Sequence, residues 1–121
     1  SLPRGLQGSS LVPLGRGEAK GWRTLVCTEN NPGGKLQAQS RGIRTDHYKL
    51  VLRQLLAQDV PGLYELYDLT KDPQEQTNLF GKAQAGVIRG ILTQFDAWAK
   101  DTGDALGLEL AEKCRKTLAE L

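Results

Sequence analysis

The chain has 121 residues, 39% of them hydrophobic and 25% charged, proportions of an ordinary globular domain that set aside disordered, collagen-like and membrane-spanning classes. That length holds one modest core, and two would each be marginal. With 16 basic residues against 14 acidic the net charge is +2 and the pI about 8.6, too balanced for the clustered positive field that a phosphate backbone requires, so nucleic acid is not an expected partner.

No apolar run reaches the ~18 residues of a membrane span. The opening Ser1-Leu2-Pro3-Arg4-Gly5 lacks the charged-then-apolar layout of a signal peptide. Methionine is absent throughout, so the sequence reads as an internal fragment, a processed product or a product cleaved from a tag. Its two cysteines, Cys27 and Cys114, stand far apart without Cys-x-x-Cys or Cys/His spacing, which gives zinc no support. A long-range disulfide and two inert core thiols both remain open. The second is favoured because each cysteine has apolar neighbours and cysteine is among the most buried residue types.

Residues 1–20 carry Pro3, Gly5, Gly8, Pro13, Gly15 and Gly17 and read as an extended connector, neither helix nor core strand. The folded part is expected over 21–121. A first strand is predicted from Trp22 to Glu29, ending at the turn cluster Asn30-Asn31-Pro32-Gly33-Gly34. Gln39 to Thr45 and Tyr48 to Gln54 flank Asp46-His47, a two-residue spacer suited to a hairpin or a bulge. Tyr48, Leu50 and Leu52 alternate with Lys49, Val51 and Arg53, the pattern of a half-buried antiparallel strand.

Leu55 to Gln58 is read as a loop or single turn, because Asp59-Val60-Pro61-Gly62 stops it. Another strand follows over Leu63 to Leu69, then a turn at Asp72-Pro73 with Asn78 as a side-chain support. Ala83 to Lys100 places Val87, Ile88, Ile91, Leu92, Phe95 and Trp98 at helical spacing. Burying such side chains contributes roughly 1.5 to 3 kcal/mol apiece, enough to dock the helix on a sheet. After Thr102-Gly103, Asp104 is the predicted cap of a second helix, with Leu106, Leu110, Cys114, Leu118 and Leu121 along one stripe. The predicted fold is α+β: a small antiparallel sheet of about three to four strands, packed against a long amphipathic helix, with a further C-terminal helix.

The residues offer little chemistry of their own. His47 is the one histidine, so any Ser-His or Cys-His dyad must use it, and Cys27 could meet it only across neighbouring strands. Asp68 and Asp72 flank a turn and could hold a cation weakly, but turn formation by their side chains is the plainer reading. Arg41, Arg44, Lys49 and Arg53 form either an anion-binding patch beside Tyr48 or the solvated face of a sheet.

Order and spacing carry more. Arg44-Thr45-Asp46-His47-Tyr48-Lys49-Leu50 followed by Glu65-Leu66-Tyr67-Asp68-Leu69-Thr70-Lys71-Asp72-Pro73-Gln74-Glu75-Gln76-Thr77-Asn78-Leu79 resembles the C-terminal region of formylglycine-dependent sulfatases. There an R-T-x-x-Y-K strand precedes an E-L-Y-D-L-x-x-D-P-x-E-x-x-N-L strand and turn. Gly8 to Gly17 partly resembles the D-G-x-S-L-x-P-L-L-x-G stretch that leads out of the catalytic domain, with Gln7 in the place of Asp and Gly15 in the place of a second Leu.

The resemblance implies the C-terminal subdomain of an enzyme of the alkaline phosphatase type, inactive alone, whose partner is a sulfatase catalytic domain holding calcium and a formylglycine. No Cys/Ser-x-Pro-x-Arg segment occurs in this chain, and Cys27 is followed by Thr28-Glu29-Asn30-Asn31, so neither nucleophile nor cofactor carries over to it. By the same resemblance, Glu29, Asn30, Asn31 and His47 are the expected rim of the substrate pocket. Family habit places such enzymes in the periplasm, the lysosome or outside the cell. Two other readings stay open: a stand-alone binding module that covers an apolar face by self-association, or the tail of a related phosphonate or phosphate monoester hydrolase.

Overall fold

The computed structural model describes residues 8–31, 38–55 and 63–121. Of the connector expected over 1–20, residues 1–7 lie outside the described residues, and the rest holds one helical turn, α1 (Val12–Gly15). Pro13 sits in its first turn, where a missing N–H costs nothing, and Gly17 turns the chain away at φ +79°. Four strands follow: β1 (Val26–Asn30), β2 (Ala38–Arg44), β3 (Tyr48–Leu55) and β4 (Leu63–Asp68). They form one antiparallel sheet in the order β1-β2-β3-β4. A 3₁₀ turn (Lys82–Gln84) leads into α2 (Ala85–Thr102), and α3 (Ala105–Glu120) closes the fold. This is the α+β architecture expected from the sequence.

Where boundaries differ, pairing explains it. β1 starts at Val26, not Trp22, because Val26 faces Arg44, the last residue of β2. Beyond Arg44 the partner strand turns away, so among the described residues the ladder does not continue back to Trp22. β3 runs on to Leu55, which pairs with Ala38. The predicted loop from residue 56 on, and the turn residues Pro32, Gly33 and Gly34, lie outside the described residues. Asp46 and His47 do close a hairpin: the Thr45 amide donates to the Tyr48 carbonyl at 2.9 Å, and the Tyr48 amide donates to Thr45 Oγ1 at 3.0 Å.

Both helices cover one side of the sheet. Ile43, Leu50, Leu52, Tyr64 and Leu66 meet Ile88, Ile91, Leu92, Phe95 and Ala99 of α2, and Leu110, Ala111, Cys114 and Leu118 of α3, in one buried cluster. Leu121, expected on the stripe of α3, falls past its last turn and is exposed.

The corner between the helices is tightly specified. Gly103 adopts φ +75°, the amide of Asp104 donates to the Ala99 carbonyl at 2.8 Å, and that of Gly103 donates to the Lys100 carbonyl at 3.4 Å. This is a Schellman ending, and glycine takes its left-handed residue without a Cβ penalty. Asp104 then caps α3 by accepting from the Gly107 amide at 3.0 Å. A Cβ on Gly107 would collide with the Asp104 carboxyl and the Phe95 ring, so this close approach also requires glycine.

Candidate functional site

The four expected rim residues fall into two groups. Glu29, Asn30 and Asn31 end β1 beside the start of β2, whereas His47 sits in the hairpin between β2 and β3. The rung joining Asn30 to Ser40 and the rung joining Val26 to Arg44 are four residues apart, about 13 Å at ~3.3 Å per residue. His47 lies further still along that axis. No single small cavity within the described residues brings the four together.

At the first end the organising group is Arg41, buried on the helix side of the sheet with its side chain 3% exposed. Its Nε and Nη2 donate to Asp104 Oδ2 and Oδ1 at 2.7 and 2.9 Å, a two-point pairing. Nη1 donates to Asn31 Oδ1 at 3.1 Å and to the Ser40 carbonyl at 2.9 Å, and Glu29 Oε2 lies 3.9 Å from Nη2. The hydrogen bond from Arg41 holds the Asp104 carboxyl below its ordinary range, while that same bond raises Arg41. Glu29 and Asn31 thus face a buried cation of their own domain, and Asn30, one residue out of phase, points to the opposite side.

At the second end, His47 is exposed, and its carbonyl accepts from the Leu69 amide at 2.7 Å. A cleft of about 330 Å³ runs from the hairpin tip, Asp46, His47 and Tyr48, across Gly86 and Gly90 of α2 to Thr24. The geometry supports binding there by hydroxyl, carboxylate and imidazole groups, with two glycines keeping the floor low.

Nucleophilic chemistry finds no support among these residues. Cys27 points into a separate groove with Leu25, Trp98 and Thr102, not into the cleft of His47. Burial, then the Asp104 and Glu29 carboxylates, push its thiol up to about 11, and burial takes Cys114 to about 12, the reverse of activation. Both cysteines are free, so the alternative of a disulfide between them is not realised.

Calcium fares no better. Asp68 accepts from the Thr70 amide and hydroxyl, and the two oxygens of Asp72 accept from the Gln76 and Thr77 amides at 3.0 and 2.8 Å. Among the described residues no group of three His, Cys, Asp or Glu is placed to hold a metal. The described residues therefore do not fit the calcium or the formylglycine that the resemblance implies for the parent enzyme, and no step passes through either group.

Three of the four cations in the candidate anion patch have carboxylate partners. Arg41 is buried against Asp104, Lys49 Nζ meets Glu75 Oε2 at 2.6 Å, and Arg53 Nη1 meets Glu65 Oε1 at 3.3 Å. Arg44 alone of the four has no such partner among the described residues.

These same contacts account for the two-part motif. Lys49 from its first half grips Glu75 from its second, and Glu75 occupies a left-handed turn position at φ +54° to make the reach. Asn78 Oδ1 accepts from the Leu66 and Phe80 amides, both at 3.0 Å, and its Nδ2 donates to the Tyr64 carbonyl at 3.1 Å. The side-chain amide stands in for a neighbouring strand. It supports the segment after the turn and not the turn itself, which Asp72 holds. The motif is architecture: it builds a hairpin and locks the following turn to it.

Arg41 and Asp104 are the pair that sequence reasoning missed. The available signal was that Arg41 shares the phase of the apolar Ile43.

Residues 1–98 match the family model described as N-sulphoglucosamine sulphohydrolase, C-terminal. Over 88 residues the chain is 33% identical to an N-acetylglucosamine-6-O-sulfatase of Bacteroides thetaiotaomicron, covering 69% of this chain and 15% of that protein. A solved 2-O GAG sulfatase superposes with a TM-score of 0.72 at 26% identity, over 86% of this chain and 22% of its own. A second, solved with its substrate D-glucosamine-2-N,6-O-disulfate, gives 0.70 at 28% identity, over 87% of this chain and 22% of its own. The chain therefore spans less than a quarter of the length of each. With its hairpin, its locked turn and a sequence match over most of its length, the chain belongs to the family of C-terminal domains of N-sulphoglucosamine sulphohydrolases.

Proposed function

We propose that this chain serves as the C-terminal subdomain of a sulfatase that cleaves sulfate esters of glycosaminoglycan-type amino sugars. It completes the enzyme's fold and lends loops to the rim of the substrate pocket. The observation that carries the reading is the lopsided overlap: most of this chain superposes on sulfatases, yet covers only 22% of each. The nucleophile and its calcium belong, in this reading, to the larger catalytic portion. Of the rim candidates, His47 is favoured for substrate contact, because it opens onto the 330 Å³ cleft, with Asp46 beside it. Glu29 and Asn31 act at one remove, held by Arg41.

A chimera tests this. Let the chain replace the matching region of the Bacteroides N-acetylglucosamine-6-O-sulfatase, and assay it beside the isolated chain. The chimera hydrolyses N-acetylglucosamine 6-sulfate and the isolated chain hydrolyses no sulfate ester. His47→Ala in the chimera then changes the ratio of kcat/KM between two sulfated sugars while leaving its melting temperature in place. An inactive chimera removes the sulfatase reading; unchanged ratios remove His47 from the rim.

A further inference from the structure

One side of the sheet carries both helices, and no described element covers the other. The pairing register puts Val26, Arg44 and Tyr67 on one rung of that bare side, Val51 on the next and Leu63 on the third. Val26 is 52% and Leu63 46% exposed, and they are the two large apolar side chains of the described strands left so open. Most of the charge here is already neutralised, Lys49 by Glu75 and Arg53 by Glu65. Arg44 remains, exposed on the end rung beside Val26 without a partner among the described residues.

We infer that this bare face seats the remainder of a sulfatase chain, which lays apolar side chains over Val26, Val51 and Leu63 and offers a carboxylate to Arg44. The inference rests on the sulfatase reading above and adds the surface through which it works. The greater part of each solved relative lies outside the matched domain and must lie against some side of it. Apolar side chains spaced over three rungs among neutral and ion-paired neighbours, with an arginine on the end rung, match the mixed composition that interfaces bury.

A second copy of this chain fits less well. A two-fold contact uses the same patch on both partners. Among the described residues that patch has one unpaired charge, which is positive, and its two carboxylates, Glu65 and Glu75, are engaged.

Cysteine accessibility provides the test. Val26→Cys, Leu63→Cys and the control Lys116→Cys on the exposed side of α3 are each made in the isolated chain and in the chimera described above, and labelled with a maleimide. The native thiols add little background, being held in the thiol form by burial. In the isolated chain all three label rapidly. In an active chimera the first two label at least about tenfold more slowly, as expected for burial in an interface, and Lys116→Cys is unchanged. Arg44→Glu lowers the melting temperature of the chimera and leaves that of the isolated chain alone.

An active chimera in which Val26→Cys and Leu63→Cys stay as reactive as before overturns the docking face while the sulfatase reading stands. An inactive chimera overturns both. Protection already present in the isolated chain, together with a dimer in sedimentation, makes the occupant a second copy and overturns the assignment to a sulfatase chain.

Discussion

Arg41 and Asp104 show how much one buried ion pair can organise. Asp104 takes two guanidinium bonds and caps α3, while Arg41 reaches back to Asn31, so one contact fixes the entry to a helix against the end of β1. Asp104→Asn keeps the shape but strands a buried cation, and breaking such a pair costs about 3 kcal/mol or more. The melting temperature of the variant should fall by about 10 °C. Acid adds a second signature. Because Arg41 depresses the Asp104 pKa in the folded state, the stabilisation is fully present above the unfolded carboxylate value of about 4 and fades as pH drops through the folded value below it. Urea midpoints measured from pH 6 downward should therefore fall less steeply in Asp104→Asn than in the parent. Equal slopes would mean that Asp104 carries no such linkage.

Among the elements, α2 bears the most weight, and two variants of it should act in opposite directions. Leu92 is fully buried in the cluster that joins the sheet to both helices. Leu92→Asp places a charge where nothing can pair with it, and the domain should lose its sheet circular dichroism and its cooperative melt. Gly86 and Gly90 lie on the exposed side of the same helix with nothing within 4 Å of where a Cβ would stand. Replacing both with alanine should stabilise the chain by about 1 to 2 kcal/mol, since each glycine costs ~0.5–1 kcal/mol in a helix interior. A calorimetric melt that rises in Gly86→Ala/Gly90→Ala and vanishes in Leu92→Asp checks both. The helices and β3 were legible in sequence because their periods stand out: Leu50 and Leu52 alternate with Lys49 and Arg53, and Ile88, Ile91, Leu92 and Phe95 recur on a helical face. The phase of β2 was fainter, because Ile43 is the one large apolar residue that marks which side Arg41 shares, and the partner of Arg41 lies 63 residues on. The rim residues failed to converge for the same reason: nearness in sequence says nothing of which end of a sheet a residue occupies.

At the scale of the whole molecule, the core is sealed and chemically quiet. Cys114 is fully buried and Cys27 half-buried, both free and both with raised thiol pKa values. A disulfide-exchange reagent at neutral pH should leave Cys114 untouched until denaturant unfolds the chain, and the folded yield should be the same with or without reductant. Rapid labelling of Cys114 in native buffer would mean that the helices part from the sheet. The Asn78 amide sets a further limit, one on how copies of this chain can grow together. Among the outward-facing backbone groups of β4, the Tyr64 carbonyl, both polar groups of Leu66 and the Asp68 carbonyl are already taken, by Asn78, Leu79, Lys71 and Asp72. No described strand pairs with the outer edge of β1. With that flank largely taken and the other open among the described residues, strand-to-strand association should stop at two copies joined edge to edge through β1 and not run on into a fibre.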